Sequence, residues 1–513
     1  MKLLENLTTD KRKVLMAAVL ILAAAAFLRF YDIHWSFSNN GVDEGIMLER
    51  ARMVGQGFGL YTELPCDQAP LVILIGSVFD GDVIVLRSLA AALGLLAVAA
   101  CMLASRKQQG DVAMLVTGVL LAVDFALLRE SRLFSLDGMS TSFLALSLPL
   151  FLHYLRKGSL VALTLAGLFV GLSTASKLFG GVALLGMILY MLLQFRKSAE
   201  EARDVRRKTI DLAVLMGAAA LPLAVLLLAL GPSDMLNGML FDQGHRAFDL
   251  EMKLSIPAFF GLNLAYALPL VHARRMWSHS KEARFLLVLT AVLLADFTLQ
   301  PLVFLHHMVL MSPGLAILSG MFIAHEYETK KGTIAEDIRT NDRKKRISEF
   351  RAVMAIALVG ILVSAGLASY GIAAQEKPGQ LVYGEKVAAW TTPDDWIISG
   401  DPLITSYAGR LTPPSMVNVG TRVYPELTES EVEAAIVGYN VSVFVICYRF
   451  FESDMSGVAF FLEDHDYGKV SGAFMGEWSR SAIETYENEQ TPWVFVRDDI
   501  IALHDLPTEG WMV

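Results

Sequence analysis

Charge is scarce in this sequence: Asp, Glu, Lys and Arg make up only 19% of its 513 residues, while 54% are hydrophobic. A soluble fold cannot bury so many long apolar runs, and a disordered chain needs the opposite balance, so the composition points to a polytopic membrane protein. A basic excess is absent too. The formal net charge is -9, with basic residues gathered in short loops and acids dominating beyond Gln375, which leaves no nucleic-acid footprint. Cysteine is nearly missing. Cys66, Cys101 and Cys447 have no metal-ligand spacing, and a Cys66 to Cys447 disulfide is only the lesser alternative to free thiols. No heptad, solenoid or propeller period runs through the chain, which excludes repeat architectures.

What is present is a series of apolar runs, each about long enough to cross a bilayer. They fall at Val14 to Phe30, Val83 to Ala104, Val112 to Leu128, Leu133 to Leu155, Leu160 to Thr174, Leu178 to Phe195, Ile210 to Leu230, Ile256 to Val271, Phe285 to Leu305, Val309 to Ala324 and Ala352 to Ala374. That pattern predicts a mainly α, helical membrane bundle of about eleven crossings. The first run follows Lys11-Arg12-Lys13 and is read as a membrane helix rather than a signal peptide. Leu71 to Phe79 is too short to cross and is expected to lie at the interface. Residues 1–374 form the predicted membrane domain. Residues 375–513 form a soluble α/β domain, with strands at Trp396 to Ser399, Val443 to Ile446 and Trp493 to Val496 and a helix at Glu429 to Gly438.

Sidedness follows from the basic loops. Lys11 to Lys13, Arg106-Lys107, Arg156-Lys157, Arg196 to Lys208, Arg274 to Arg284 and Lys330 to Arg351 all fall on one face when the spans alternate, and that face is expected to be cytoplasmic. The protein is thus expected in the plasma membrane with its N-terminus inside and its C-terminal domain outside. Asp43, Glu44 and Asp67, the Arg129 to Arg132 cluster, Lys177, Arg246 and the His306-His307 pair then share the outer rim. An enzyme acting on a polar substrate needs its charged groups at such a water-accessible rim.

Each of these residues has a plainer reading beside the chemical one. Asp43 and Glu44 can cap a helix running on to Met53. Outer basic residues can be headgroup anchors, although Lys177, alone in a tight turn of small residues, suits a lipid phosphate better. Asp124, Asp137 and Asp296 lie within or against apolar spans and need partners, with Arg132 the nearest in sequence to Asp137. His306 with Asp43 or Asp67 is a possible set of ligands for a divalent metal, but adjacent histidines on a helix diverge, and hydrogen bonding to phosphate is the better reading of the pair.

The acidic pair after the first span, Asp67-Gln68-Ala69-Pro70, Ser131-Arg132-Leu133-Phe134-Ser135-Leu136-Asp137, Ser176-Lys177 and His306-His307 before Ser312-Pro313-Gly314 together resemble the GT-C glycosyltransferases. Within them the chain most resembles the branch of protein O-mannosyltransferases and lipid A aminoarabinose transferases, over about Val14 to Ala324. The resemblance implies a polyprenyl- or dolichyl-phosphate-linked sugar donor and a glycan, lipid or protein acceptor. It also implies inverting transfer on the outer face, with Asp43 as general base in company with Glu44 and Asp67. Lys177, Arg132, Arg246 and His307 are the expected phosphate ligands. The chain departs from the family in having Ala69-Pro70 where a Pro-Pro pair is usual, and it lacks the Trp-Trp-Asp of oligosaccharyltransferases. A transporter or lipid flippase is the alternative, but no internal symmetry of the kind transporters show is visible.

Overall fold

The computed structural model describes residues 9–34, 42–195, 202–241, 248–335, 341–374, 377–419, 428–447, 450, 456–470 and 493–508. Among them the chain is mostly helical. The first half comprises α1 (Thr9–Phe30), α2 (Val42–Gly55), α3 (Leu71–Ser77), α4 (Val83–Val123), α5 (Phe125–Glu130), α6 (Leu136–Lys157), α7 (Leu160–Ser176), α8 (Phe179–Phe195) and α9 (Ala202–Leu230). After a short helix α10 (Pro232–Leu236) come α11 (Ser255–Leu262), α12 (Leu264–Val271), α13 (Ala273–His279), α14 (Lys281–Leu299), α15 (Ser312–Ala335) and α16 (Asn341–Ala373).

Six described helices are long and apolar enough to cross a membrane, or seven if the bent pair α11 and α12 is one span. The expected count of about eleven is therefore not reproduced as eleven straight helices, and the differences have physical causes. The runs at Val83 to Ala104 and Val112 to Leu128 share one element, α4, whose 41 residues are broken at Gln109 and Gly110. Gly110 has φ +79°, and Ser105 Oγ lies 2.7 Å from Thr117 Oγ1. Twelve helical residues would span about 18 Å, so α4 is a helical hairpin with two arms. The run at Ile256 to Val271 bends by 92°. At the bend Asn263 is non-helical, and its amide reaches Asp124 Oδ1 at 3.5 Å. The helices at Leu160 to Ser176 and Phe179 to Gln194 are apolar but shorter than the six. The piece expected at the interface is the short helix α3.

Local chemistry sets several ends. Asp82, Ser135 and Ser159 accept backbone N–H bonds at the starts of α4, α6 and α7, and Gly158 takes the left-handed conformation that closes α6. Small residues allow the helices to approach in an apolar solvent that offers no hydrophobic drive for association. A Cβ on Gly171 would sit 2.3 Å from the Ala219 carbonyl oxygen of α9. Helix α15 is the axis, its apolar window entirely buried, whereas α1 and α9 leave most of theirs uncovered.

The C-terminal part holds α17 (Gly379–Trp390), β1 (Ile397–Ser399), α18 (Pro402–Ala408), α19 (Glu429–Gly438), β2 (Val443–Ile446), α20 (Ser456–Glu463), β3 (Tyr467–Lys469), β4 (Trp493–Arg497) and α21 (Asp498–His504). Its strands form one sheet in the order β1-β2-β4-β3, parallel between β1 and β2 and antiparallel elsewhere. The three strands read from sequence and the helix at Glu429 to Gly438 are all present, while β3 was not anticipated. The three cysteines are free and buried, so Cys66 and Cys447 form no disulfide. This part rests on α2: Leu403 and Val417 pack into the α2 and α3 core, and Arg52 donates to the carbonyls of Ser406 and Arg410. A Cβ on Gly45 would lie 2.4 Å from the Leu403 backbone nitrogen, so close approach explains the glycine after Asp43-Glu44.

Candidate functional site

Asp43 and Glu44 both lie in the first turn of α2, where the helix dipole favours them, but their surroundings differ. Asp43 is exposed. Glu44 is 2% exposed and is gripped by Arg87, whose Nε and Nη2 reach its two oxygens at 2.9 and 2.5 Å. The Phe134 amide also donates to Glu44 Oε1 at 2.8 Å. Glu44, expected among the catalytic acids, is thus a buried clamp that ties the start of α2 to α4 and to the segment entering α6. Because Phe134 is three residues before Asp137, the clamp brings the Asp43 turn alongside the start of α6.

At that start stands a cluster of charged and imidazole groups. Lys177 Nζ donates to Asp137 Oδ2 at 2.6 Å and sits 5.0 Å from the Phe179 ring. Asp137 therefore pairs with Lys177, not with the expected Arg132. Arg132 is fully buried and donates Nη1 and Nη2 to the carbonyls of Leu28 and Asp32 at 2.7 and 2.6 Å. Those bonds anchor the end of α1, a role that leaves Arg132 supporting the fold where a phosphate ligand was expected.

His306 and His307 come from a 3₁₀ turn, Leu305–Met311, that leads into α15. Ligand atoms of Asp137, His306 and His307 all lie within 4.8 Å of one another, so the structure gathers a different trio from the expected Asp43, Asp67 and His306. Each of the three can offer one ligand atom to a metal ion, and each also has neighbours that compete for it. Lys177 already holds Asp137, and the Phe304 amide donates to His307 Nδ1 at 3.4 Å. With Nδ1 accepting that bond, a neutral His307 would carry its proton on Nε2 and offer it to a phosphate oxygen. Glu130 adjoins the cluster. Burial pushes its carboxyl up, but Arg129, His306 and the Ser135 hydroxyl together outweigh that and hold it below its ordinary value.

Asp67 lies apart from this cluster in its bonding. Its Oδ2 accepts from Gln68 Nε2 at 3.0 Å, and its Oδ1 is 3.7 Å from Arg50 Nη1. Arg50 was not singled out in the sequence. It is 2% exposed, and neither Nε nor Nη1 has a hydrogen-bond partner. A buried guanidinium with unsatisfied donors beside an acid is a natural anion seat, and an arginine inside an otherwise apolar helical stripe was the signal for it. Asp124 and Asp296 have the partners their placement required: Asp124 accepts from the Leu127 amide and the Tyr266 hydroxyl, and Asp296 from Gln300. Arg246 lies outside the described residues.

Comparison with known proteins places this geometry in context. The model of the family described as dolichyl-phosphate-mannose-protein mannosyltransferase matches residues 68–230, a stretch that includes Asp137 and Lys177. No curated protein matches the chain. Among solved structures, ArnT from Cupriavidus metallidurans in the apo state aligns with TM-score 0.62 and 14% identity, covering 94% of this chain and 98% of that one. The same protein bound to undecaprenyl phosphate aligns with TM-score 0.60, again at 14% identity, over 93% of this chain and 97% of that one. The oligosaccharyltransferase AglB from Archaeoglobus fulgidus, in complex with an inhibitory peptide and a dolichol-phosphate, aligns with TM-score 0.54 and 14% identity. That alignment covers 90% of this chain and 73% of that one. The chain thus carries a match to the dolichyl-phosphate-mannose-protein mannosyltransferase family over residues 68–230, on the fold shared by the GT-C glycosyltransferases ArnT and AglB.

Proposed function

We propose that the protein is an inverting membrane glycosyltransferase that moves a sugar from a polyprenyl- or dolichyl-phosphate donor to an acceptor hydroxyl on the outer face of the membrane. The observation that carries this reading is the Lys177–Asp137 pair, which lies inside the family match and beside His306 and His307. The neighbours bound to undecaprenyl phosphate and dolichol-phosphate support the same donor class.

The donor's sugar carbon is bonded to a phosphate oxygen that must leave with its charge stabilised. Lys177 has three N–H donors, of which Asp137 takes one, and the others are left for phosphate oxygens. The His307 Nε2 proton adds a neutral donor close by. Cations and donors fixed in advance at the leaving oxygen lower the barrier as charge develops there. Asp43 takes the proton of the acceptor hydroxyl as its oxygen bonds to the sugar carbon, and the bond from that carbon to the phosphate oxygen breaks on the opposite face. The anomeric centre inverts, and the lipid phosphate departs as the anion. Asp67 and Arg50 flank the acceptor side in this scheme.

The test is transfer from a labelled lipid-linked sugar in membranes containing the Asp43→Asn protein. Transfer should be lost while expression and donor binding persist. Full activity in that variant would remove Asp43 from the role of base.

A further inference from the structure

At the end of α6 opposite to Asp137 lies a cavity of about 490 Å³ between the first arm of α4, α6 and α7. Nineteen helical residues separate Asp137 from Arg156, about 28 Å along the axis, so this cavity is distinct from the site above. Its floor is apolar, with Leu103, Leu150 and Phe169, and its rim is basic, with Lys107, His153 and Arg156. Leu103 is 56% exposed, so the floor runs on to the apolar outer surface of the bundle.

The rim contains a fixed donor without an acceptor. Arg156 Nη1 donates to the Lys107 carbonyl, which holds the guanidinium in place, while Arg156 Nε is buried with no hydrogen-bond partner. A buried N–H of that kind calls for an acceptor, and here two further basic side chains surround it. An apolar trough that reaches the lipid-facing surface and ends in a basic rim matches a molecule with a hydrocarbon chain and an anionic head. The basic loops also gather on this face, where anionic lipids are drawn to clustered Lys and Arg.

We infer that this cavity binds an anionic membrane phospholipid, its phosphate on Arg156, Lys107 and His153 and one acyl chain along Leu103, Leu150 and Phe169. The full chain, purified in a non-ionic detergent, is titrated with dioleoylphosphatidylglycerol and followed by native mass spectrometry. One tight adduct is expected, and dioleoylphosphatidylcholine should not reproduce it. Arg156→Gln should weaken the adduct about tenfold, the effect of losing one charge-assisted hydrogen bond. Ala100→Phe, which fills the cavity and leaves every charge in place, should remove it. Lys157→Gln, at an exposed position that does not line the cavity, should leave it unchanged. Equal binding of the zwitterionic lipid, equal weakening by Lys157→Gln and Arg156→Gln, or an undiminished adduct in Ala100→Phe would overturn the inference. Tighter binding of a polyprenyl phosphate than of phosphatidylglycerol would do so as well, by making the cavity a second donor site. Retained melting temperatures in both cavity variants distinguish lost binding from lost fold, and if Ala100→Phe fails that check, Leu103→Trp takes its place.

Discussion

Adjacent residues here divide two tasks. Asp43 faces solvent, whereas Glu44 is enclosed by Arg87 and the Phe134 amide. Breaking a buried ion pair from one side leaves an uncompensated charge, at a cost of about 3–5 kcal/mol. Glu44→Gln should therefore lower the melting temperature markedly, while Asp43→Asn should melt with the parent protein and lose only transfer; intrinsic-fluorescence melts of the detergent-solubilised variants check this. Lys177→Met should raise the KM for lipid-linked sugar by about tenfold or more through the lost phosphate contact, with a smaller change in the KM for acceptor, as steady-state kinetics with each substrate varied in turn would show. Lys177 was conspicuous in the sequence because a lone lysine between apolar runs has few structural uses. Its partner was not, since Arg132 is nearer to Asp137 in sequence and only the packing of α6 against α7 brings Lys177 closer. Arg87 was overlooked as well, although a charge near the start of an apolar helix calls for a partner.

At the level of elements, the contact of α2 with α18 contains an acid whose proton is part of the interface. Glu49 is fully buried, and burial raises its carboxyl to about 7 against an ordinary 4.5, with Arg52 and the Ser406 hydroxyl pulling it down and Asp80 pushing it up. Its Oε1 accepts from Ser406 at 3.0 Å and from Arg52 at 3.2 Å, while Oε2 has no partner. Such a group binds its proton more tightly when the interface is closed. Its contribution is complete below pH 4.5 and is lost as pH rises through 7, a change of up to roughly 3 kcal/mol. Hydrogen exchange over residues 402–410 should accordingly quicken between pH 6 and 8 beyond the intrinsic rate in the parent protein, and Glu49→Gln should flatten that dependence. Unchanged pH dependence in the variant would assign it to another group. The elements themselves were largely legible where signals are local: Glu429 to Gly438 has a capping box of Thr428 and Glu431, and β2 is a compact apolar run. The bend at Asn263 was not, because its side chain answers to Asp124, distant in sequence.

For the whole molecule, the helix α6 supplies the measure. Asp137 at its start and Lys157 at its end are twenty residues apart, about 30 Å, which is the thickness of the hydrocarbon core. Groups proposed to act on substrate and the basic loops then lie at opposite ends of this span, and the C-terminal part, docked on α2 through Arg52 and Leu403 and on α4 through the bond from Arg87 to Tyr407, shares the side of Asp43. The charge bias is the ground for proposing that this side is external. Because Cys66, Cys101 and Cys447 are free and buried, they can be replaced by Ala or Ser to give a background for single reporter cysteines. In intact cells a membrane-impermeant maleimide should label Glu463→Cys on α20 and spare Lys157→Cys until the membrane is opened, since both positions are exposed and differ only in side. Labelling in the reverse order would turn the protein over, place Asp43 inside, and make transfer a reaction of the cytoplasmic face.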